Sequence, residues 1–137
     1  MILKKNFWED KEMSTNSRIG MLKEDGSVVS IYCHWDGYLE HVGDTLRQYY
    51  NYRYKVEELI ALGALSSLRK DIKEIISYHK WKGEPIESDM FISKEQYVKE
   101  YINDIFIEYI YLFMKGDWYH YSNKKWIKLT KEYCLGE

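Results

Sequence analysis

The sequence has little proline, little cysteine and no long apolar run. Pro85 is the only proline among 137 residues, so no stiff linker divides the chain, and the length fits one domain. The two cysteines, Cys33 and Cys134, are too few for a disulfide framework, and free thiols in a reducing compartment are expected. No segment has the apolar length that a bilayer requires, and the first residues lack the form of a secretory signal. We therefore expect a cytoplasmic protein outside the membrane.

Other absences restrict the function. The formal net charge is -2, which lacks the basic excess that general nucleic-acid binding needs. No GxGxxG or GxxxxGK[ST] motif occurs, so nucleotide triphosphate hydrolysis is not expected. No local signature of a Ser-His-Asp triad occurs either. The sequence favours a protein that is not an enzyme and that needs no cofactor.

Aromatic residues, by contrast, are abundant: they make up 17% of the chain, and 14 of them are tyrosines. The segment "YYNYRY" (49–54) places four tyrosines around Arg53. In "DWYHYSNKKW" (117–126), strand alternation puts Trp118 on one face of a hairpin and Tyr119 and Tyr121 on the other. Packing across a sheet accounts for part of this excess. Tyrosine, tryptophan and arginine also dominate binding hot spots, so we expect a contact surface.

The order of the elements predicts an α+β domain. Residues 1–13 have no clear period and are interpreted as an N-terminal extension, with residues 14–137 forming the domain. Asp25-Gly26 predicts the turn of a hairpin. Helices are expected after Gly37, in "KVEELIALG", in "SSLRKDIKEIISYH" and from a capping box at Ser93, with "WKGEPIESDMF" as a loop. Three strands follow to about residue 130. We thus predict one antiparallel sheet, built from the hairpin and a C-terminal three-strand meander, with three to four helices between.

The stretch "SIYCHWDGYLEHVGDTL" (30–46) mixes residues that can carry chemistry. On a strand, Cys33 and Trp35 should face the core, whereas Tyr32, His34 and Asp36 share the other face. A buried Cys33 would be a structural residue, because a nucleophilic thiol needs a base beside it.

A metal site is not expected in this stretch, because the cysteine and the histidine diverge and their spacing matches no zinc module. For the polar face two alternatives stay open. It could line a ligand cleft, or Asp36 could cap the following helix while Gly37 supplies a positive φ.

Three segments resemble a family of short proteins from phages, prophages and gut bacteria. They are "MSTNSRIG…EDGSVVSIYCHWDGYLEHVGDTL", "KVEELIALGALSSL" and "EYIYLFMKGDWYHY". The resemblance covers Met13 to about Thr130, and its most specific part is Ile31 to Tyr38 with Gly43 following. It implies a setting rather than a mechanism: a phage-derived protein in the host bacterial cytoplasm that modulates host machinery.

The leading hypothesis is therefore a small binding protein that acts by occupancy on a host protein, in its specific form an inhibitor of a defence effector such as CRISPR. One alternative is a protein that sequesters a nucleotide signal in a tyrosine-lined pocket with an arginine or lysine for phosphate, with a homodimer left open. Another is a small Cys/His enzyme. The candidate binding residues are Tyr32, His34, Asp36, Tyr38, Arg53, Trp118, Tyr119 and Tyr121.

Overall fold

The computed structural model describes residues 14–137, and the N-terminal extension predicted for residues 1–13 lies outside the described residues. The described part forms one mixed sheet of eight strands with five α-helices, which confirms the α+β class. The strands are β1 (Ser17–Leu22), β2 (Val28–Cys33), β3 (Leu65–Ser67), β4 (Ile76–Ser77), β5 (Asp89–Phe91), β6 (Tyr109–Met114), β7 (Asp117–Ser122) and β8 (Lys125–Lys128). The α-helices are α1 (Asp44–Tyr49), α2 (Arg53–Ile60), α3 (Tyr78–Lys82), α4 (Lys94–Tyr101) and α5 (Lys131–Leu135). A π-helical turn spans Leu39–Gly43 and a 3-10 turn spans Ile72–Glu74.

The hairpin and the meander are confirmed. In the β1–β2 turn, Gly26 has a φ of 89°, and the Asp25 carboxylate accepts hydrogen bonds from the backbone N–H and the hydroxyl of Ser27 at 2.9 and 2.6 Å. Such a short polar turn closes two strands locally. Strands β6, β7 and β8 follow one another as antiparallel neighbours.

The sheet is only partly the antiparallel one that was predicted. Its strand order is β4-β3-β2-β1-β6-β7-β8, and β5 also pairs with β2. Strands β1 and β6 run parallel, with Ser17 opposite Tyr109, and β2 meets β3 in parallel at Cys33. A parallel pair needs a long crossover. Here the chain between β2 and β6 provides it, and three of its short segments join the sheet as β3, β4 and β5.

The prediction of a helix in "SSLRKDIKEIISYH" is wrong. This segment contains the last two residues of β3, the 3-10 turn and β4, and only its final two residues belong to a helix, α3. Backbone hydrogen bonds join β3 to the chain just after β2. The His34 and Trp35 N–H groups donate to the carbonyls of Leu65 and Ser66, each at 3.0 Å. The helical spacing of the isoleucines was therefore outweighed by pairing with a strand far away in sequence, which local propensity cannot register.

The predicted loop "WKGEPIESDMF" is also only partly a loop. It begins in the second half of α3, and it ends in β5, which pairs with β2. Pairing with β2 again decides the local structure.

The corner after β2 differs from its predicted form. The positive φ falls on Asp36, at 57°, and the π-helical turn begins after Tyr38 without a side-chain cap, so the predicted capping role of Asp36 is wrong. Gly37 is needed for a different reason. A Cβ at this position would lie 2.8 Å from both the Ser17 Cβ and the Thr15 carbonyl oxygen, which is closer than packed atoms approach.

Both faces of the sheet are covered. On the first face, α1, α2 and α5 contribute Leu46, Leu59 and Cys134 to a core with the strands. On the second face, α4 places Tyr97 over Gly20, whose Cβ would meet the tyrosine ring at 2.9 Å. The two layers fix the strands that carry the residues singled out from the sequence.

Candidate functional site

Tyr32 and His34 do lie together on one face of the chain, as strand alternation predicts. The Tyr32 hydroxyl is 2.7 Å from Nδ1 of His34, and the side-chain amide nitrogen of Asn16 is 3.3 Å from the same Nδ1. Because an amide NH₂ group can only donate, Nδ1 is an acceptor here and the ring proton lies on Nε2. Burial lowers the pKa of His34, which agrees with a neutral ring. The pair is thus held in a hydrogen-bonded unit.

A buried arginine fills the same face beside this pair. Arg18 is 6% exposed, and its Nη2 donates to the Ser30 hydroxyl at 2.6 Å and to Oδ2 of Asp89 at 2.8 Å. Its guanidinium also lies 4.5 Å from the centre of the Tyr101 ring. Buried charge is tolerated only when it is paired in this way. The arrangement ties β5 and α4 to β1, so much of the polar face is an internal network.

Asp36 leaves this face and joins Tyr38 and His41 instead. The Tyr38 hydroxyl donates to Oδ1 of Asp36 at 3.5 Å, and Nε2 of His41 lies 3.9 Å from Oδ2 of Asp36. The positive φ of Asp36 ends the strand alternation, which explains the separation from His34. A separation of 3.9 Å is too long for a hydrogen bond, so His41 and Asp36 are not arranged for proton transfer.

The residues that suggested reactive or metal chemistry are kept apart. Cys33 is fully buried, its Sγ lies 3.7 Å from the Trp35 carbonyl oxygen, and burial raises the pKa of the thiol to about 12. Such a thiol is not a nucleophile at neutral pH. Trp35 itself lies beyond the end of β2 and is only half-buried, so its predicted place in the core is wrong. Across residues 14–137, no three His, Cys, Asp or Glu side chains are grouped so as to hold a metal ion.

The aromatic residues of the β7 hairpin have structural surroundings. Trp118 is 2% exposed, and its Nε1 donates to the Tyr50 carbonyl at 2.7 Å, so it lies in the core. Tyr119 and Tyr121 are half-buried on the second face, where the centres of the Tyr121 and Trp126 rings are 5.1 Å apart. Strands β1 and β6 separate them from Tyr32 on β2. The structure therefore does not bring all the sequence-predicted binding residues into one site.

The two tyrosines at the start of α2 are exposed to solvent. Tyr52 and Tyr54 are each 59% exposed, and their rings stack with centres 6.0 Å apart and planes 18° from parallel. Arg53 lies between them in the sequence, and its side chain has Nε 3.6 Å from a Glu57 carboxylate oxygen and Nη1 3.4 Å from the Leu22 carbonyl oxygen. We call Tyr52, Arg53 and Tyr54 the tyrosine surface. Of the binding residues predicted from the sequence, Arg53 is the one that belongs to it.

A groove of about 410 Å³ lies between residues on either side of the tyrosine surface in the chain and residues at the start of the 3-10 turn. The Lys70 ammonium group lies 5.6 Å from the centre of the Tyr49 ring, within range of a cation–π contact. The Tyr50 hydroxyl is engaged, because it donates to the Arg69 carbonyl at 2.6 Å. The groove is lined by Tyr49, Tyr50, Lys55, Glu58, Lys70, Asp71 and Ile72. The two lysines could not be identified from the sequence, because they come from separate segments that only the fold brings to one groove.

Comparisons with protein-family models, with curated proteins and with solved structures gave no match. No helix within the described residues is both long enough and apolar enough to cross a membrane.

Proposed function

We propose that this protein binds another protein and acts by occupying its surface. The tyrosine surface supports this proposal, because exposed tyrosines around an arginine have the composition of a binding hot spot. The stacked rings of Tyr52 and Tyr54 are already ordered by each other, so a partner that covers them loses little side-chain entropy. Each large ring offers apolar area together with a hydroxyl that can bind at the edge of the contact.

The narrower proposal concerns the setting. The resemblance of the Ile31–Tyr38 stretch to short phage and prophage proteins supports a role inside the host bacterium, where the partner would be a host protein. A component of a defence system such as CRISPR is the specific form of this proposal. It depends on the resemblance alone, whereas the general proposal depends on the tyrosine surface.

The test uses the purified protein as bait against lysates of candidate host bacteria, followed by binding measurements with the recovered protein. Changing Tyr52 and Tyr54 together to alanine should weaken the interaction by about 100- to 1,000-fold, since truncating one hot-spot residue costs about 2 kcal/mol and the costs of two neighbours are not fully additive. The matched control changes Lys124 and Lys125 to alanine at the exposed β7–β8 turn and should leave the affinity unchanged. A partner that binds the tyrosine variant as tightly as the wild type would refute the proposed surface.

A second candidate function is favoured by the groove. Its volume lies in the range of small-ligand sites, and it combines the Tyr49 ring with the ammonium groups of Lys55 and Lys70, which suits a base and a phosphate. Two acidic residues, Glu58 and Asp71, also line it and oppose an anion. Sequestration of a nucleotide signal is therefore the weaker of the two functions.

Thermal unfolding in the presence of cyclic and linear nucleotides tests this second function. A nucleotide that binds the native state must raise the midpoint, and the rise should be lost in the Lys70→Ala variant. The Lys124→Ala variant provides the control for loss of one lysine. If no nucleotide moves the midpoint of the wild-type protein, the second function is eliminated and the first is untouched.

A further inference from the structure

The edge of the sheet on the β2 side is open. Strand β1 occupies one side of β2, so both strands that pair with its other side lie at this edge: β3 at Cys33 and β5 at Val28, Val29 and Ser30. Strand β4 then extends the sheet beyond β3. No described strand pairs with the outer side of either β4 or β5. Uncovered strand edges of this kind are ready to pair with another chain.

The same edge exposes large apolar side chains. Beside β4, Ile76 and Trp81 border a groove of about 490 Å³ and are 38% and 58% exposed. The Lys82 ammonium group lies over one face of the Trp81 ring, 4.5 Å from its centre. Around β5, Ile86, Met90 and Ile92 are 54%, 61% and 76% exposed. Exposed large apolar residues gathered along one edge are a feature of interaction sites.

The two halves of this edge carry opposite charge. Residues 73–82, which include β4 and α3, contain three lysines and one acidic residue. Residues 84–92, which include β5, contain three acidic residues and no lysine or arginine. One of the acidic residues, Asp89, is paired with Arg18, which leaves Glu84 and Glu87 to set the sign of this half. We call residues 73–82 the basic half and residues 84–92 the acidic half.

We propose that two copies of this chain associate through this edge, with the basic half of each on the acidic half of the other. The two halves follow one another in the chain, and their strands both lie on the outer side of β2, so a two-fold axis between two copies can make both pairings at once. The apolar side chains of Ile86 and Met90 then face the groove at Trp81 of the second copy. Opposite charge selects this arrangement over one that places acidic half on acidic half.

Sedimentation analysis at low ionic strength tests the proposal by charge exchange. The wild-type protein should sediment with twice the mass of one chain, and salt should weaken the association. Changing Lys80 and Lys82 to glutamate, or Glu84 and Glu87 to lysine, should raise the dissociation constant of the dimer at least about tenfold. An equimolar mixture of the two variants should form a dimer again, because one variant then has two acidic halves and the other two basic halves, so both pairings are between opposite charges.

The control is the double change Lys124→Glu and Lys125→Glu, which makes the same charge reversal at the β7–β8 turn and should leave the dimer intact. Circular dichroism spectra identical to that of the wild type show that each variant is folded. A wild-type protein that stays monomeric at about 100 μM, a concentration at which an edge contact of even micromolar affinity would form, overturns the proposal. So does a dimer that survives both edge variants, or a mixture of them that stays monomeric.

Discussion

His120 should make this protein lose stability when the pH falls below neutrality. Its Nδ1 lies 2.8 Å from the Tyr133 hydroxyl, and its ring packs 5.3 Å from that of Tyr109. The residue is 7% exposed, and burial lowers its pKa from 6.5 to about 4. His120 is therefore protonated near pH 6.5 in the unfolded chain but only near pH 4 in the native protein. Stability from this residue is complete at neutral pH and declines through that window.

The size of the effect follows from the two pKa values. A difference of 6.5 against about 4 corresponds to roughly 3 kcal/mol in total, of which about 2 kcal/mol is lost between pH 7 and pH 4.5. Urea unfolding at both pH values measures the free energy of unfolding of the wild type. The same measurement on His120→Phe supplies the reference, since phenylalanine fits an aromatic site and does not titrate.

We expect the wild type to lose about 2 kcal/mol more than the His120→Phe variant over this interval. Carboxylates titrate in both proteins and cancel in the difference. If the two proteins lose stability in parallel, the native state accepts a proton on His120 without cost, and the reasoning from its burial is refuted.

Gly37→Ala should lower the free energy of unfolding by about 2 kcal/mol or more, because the new Cβ lies 2.8 Å from packed atoms. Gly26→Ala meets no atom within 4 Å and should cost only about 1 kcal/mol for its positive φ, and urea titration compares the two. Trp118→Phe should cost about 1–3 kcal/mol in the same assay, since it leaves the buried Tyr50 carbonyl without its donor; an unchanged midpoint would contradict that role. Cys33, fully buried with its thiol pKa raised to about 12, should react with a thiol reagent at pH 8 only after denaturant is added.

The elements that could be predicted are those decided within a few residues. Asp25-Gly26 closes its hairpin by bonds to Ser27, and the Ser93 hydroxyl accepts from the Gln96 N–H at 3.1 Å at the start of α4. Helix α5 could have been found by the same means. The Thr130 hydroxyl accepts from the Tyr133 N–H at 3.0 Å there, a capping signal that the sequence shows openly.

The elements that could not be predicted depend on partners far away in the chain. Strand β5 is too short to stand out from a loop, and its place beside β2 is supported by the bond between Arg18 and Asp89, residues 71 positions apart. The parallel pairing of β1 with β6 likewise joins residues that are far apart in the sequence. Pattern reasoning detects a strand but not its neighbour, so the order and direction of the strands are decided by packing alone.

In the candidate site too, local features could be predicted from the sequence and contacts between distant residues could not. Alternation correctly placed Tyr32 and His34 together, because β2 is a regular strand up to Cys33. It failed at Asp36, whose positive φ turns the chain. Composition alone drew attention to the tyrosines at 49–54, yet it could not indicate that Lys70 would come to lie near the Tyr49 ring.

Buried aromatic residues fix the segment that leads to the exposed tyrosines. The Tyr111 hydroxyl donates to the Gly37 carbonyl and Trp118 Nε1 donates to the Tyr50 carbonyl, each at 2.7 Å. Both ends of the segment that contains the π-helical turn and α1 are thus fixed to the sheet by rings of the C-terminal meander. The tyrosine surface begins two residues after the second of these attachment points, so it projects from a held segment rather than a free loop. A rigidly held segment would lose less entropy on binding, so buried rings such as Trp118 contribute indirectly to the contact surface that we propose.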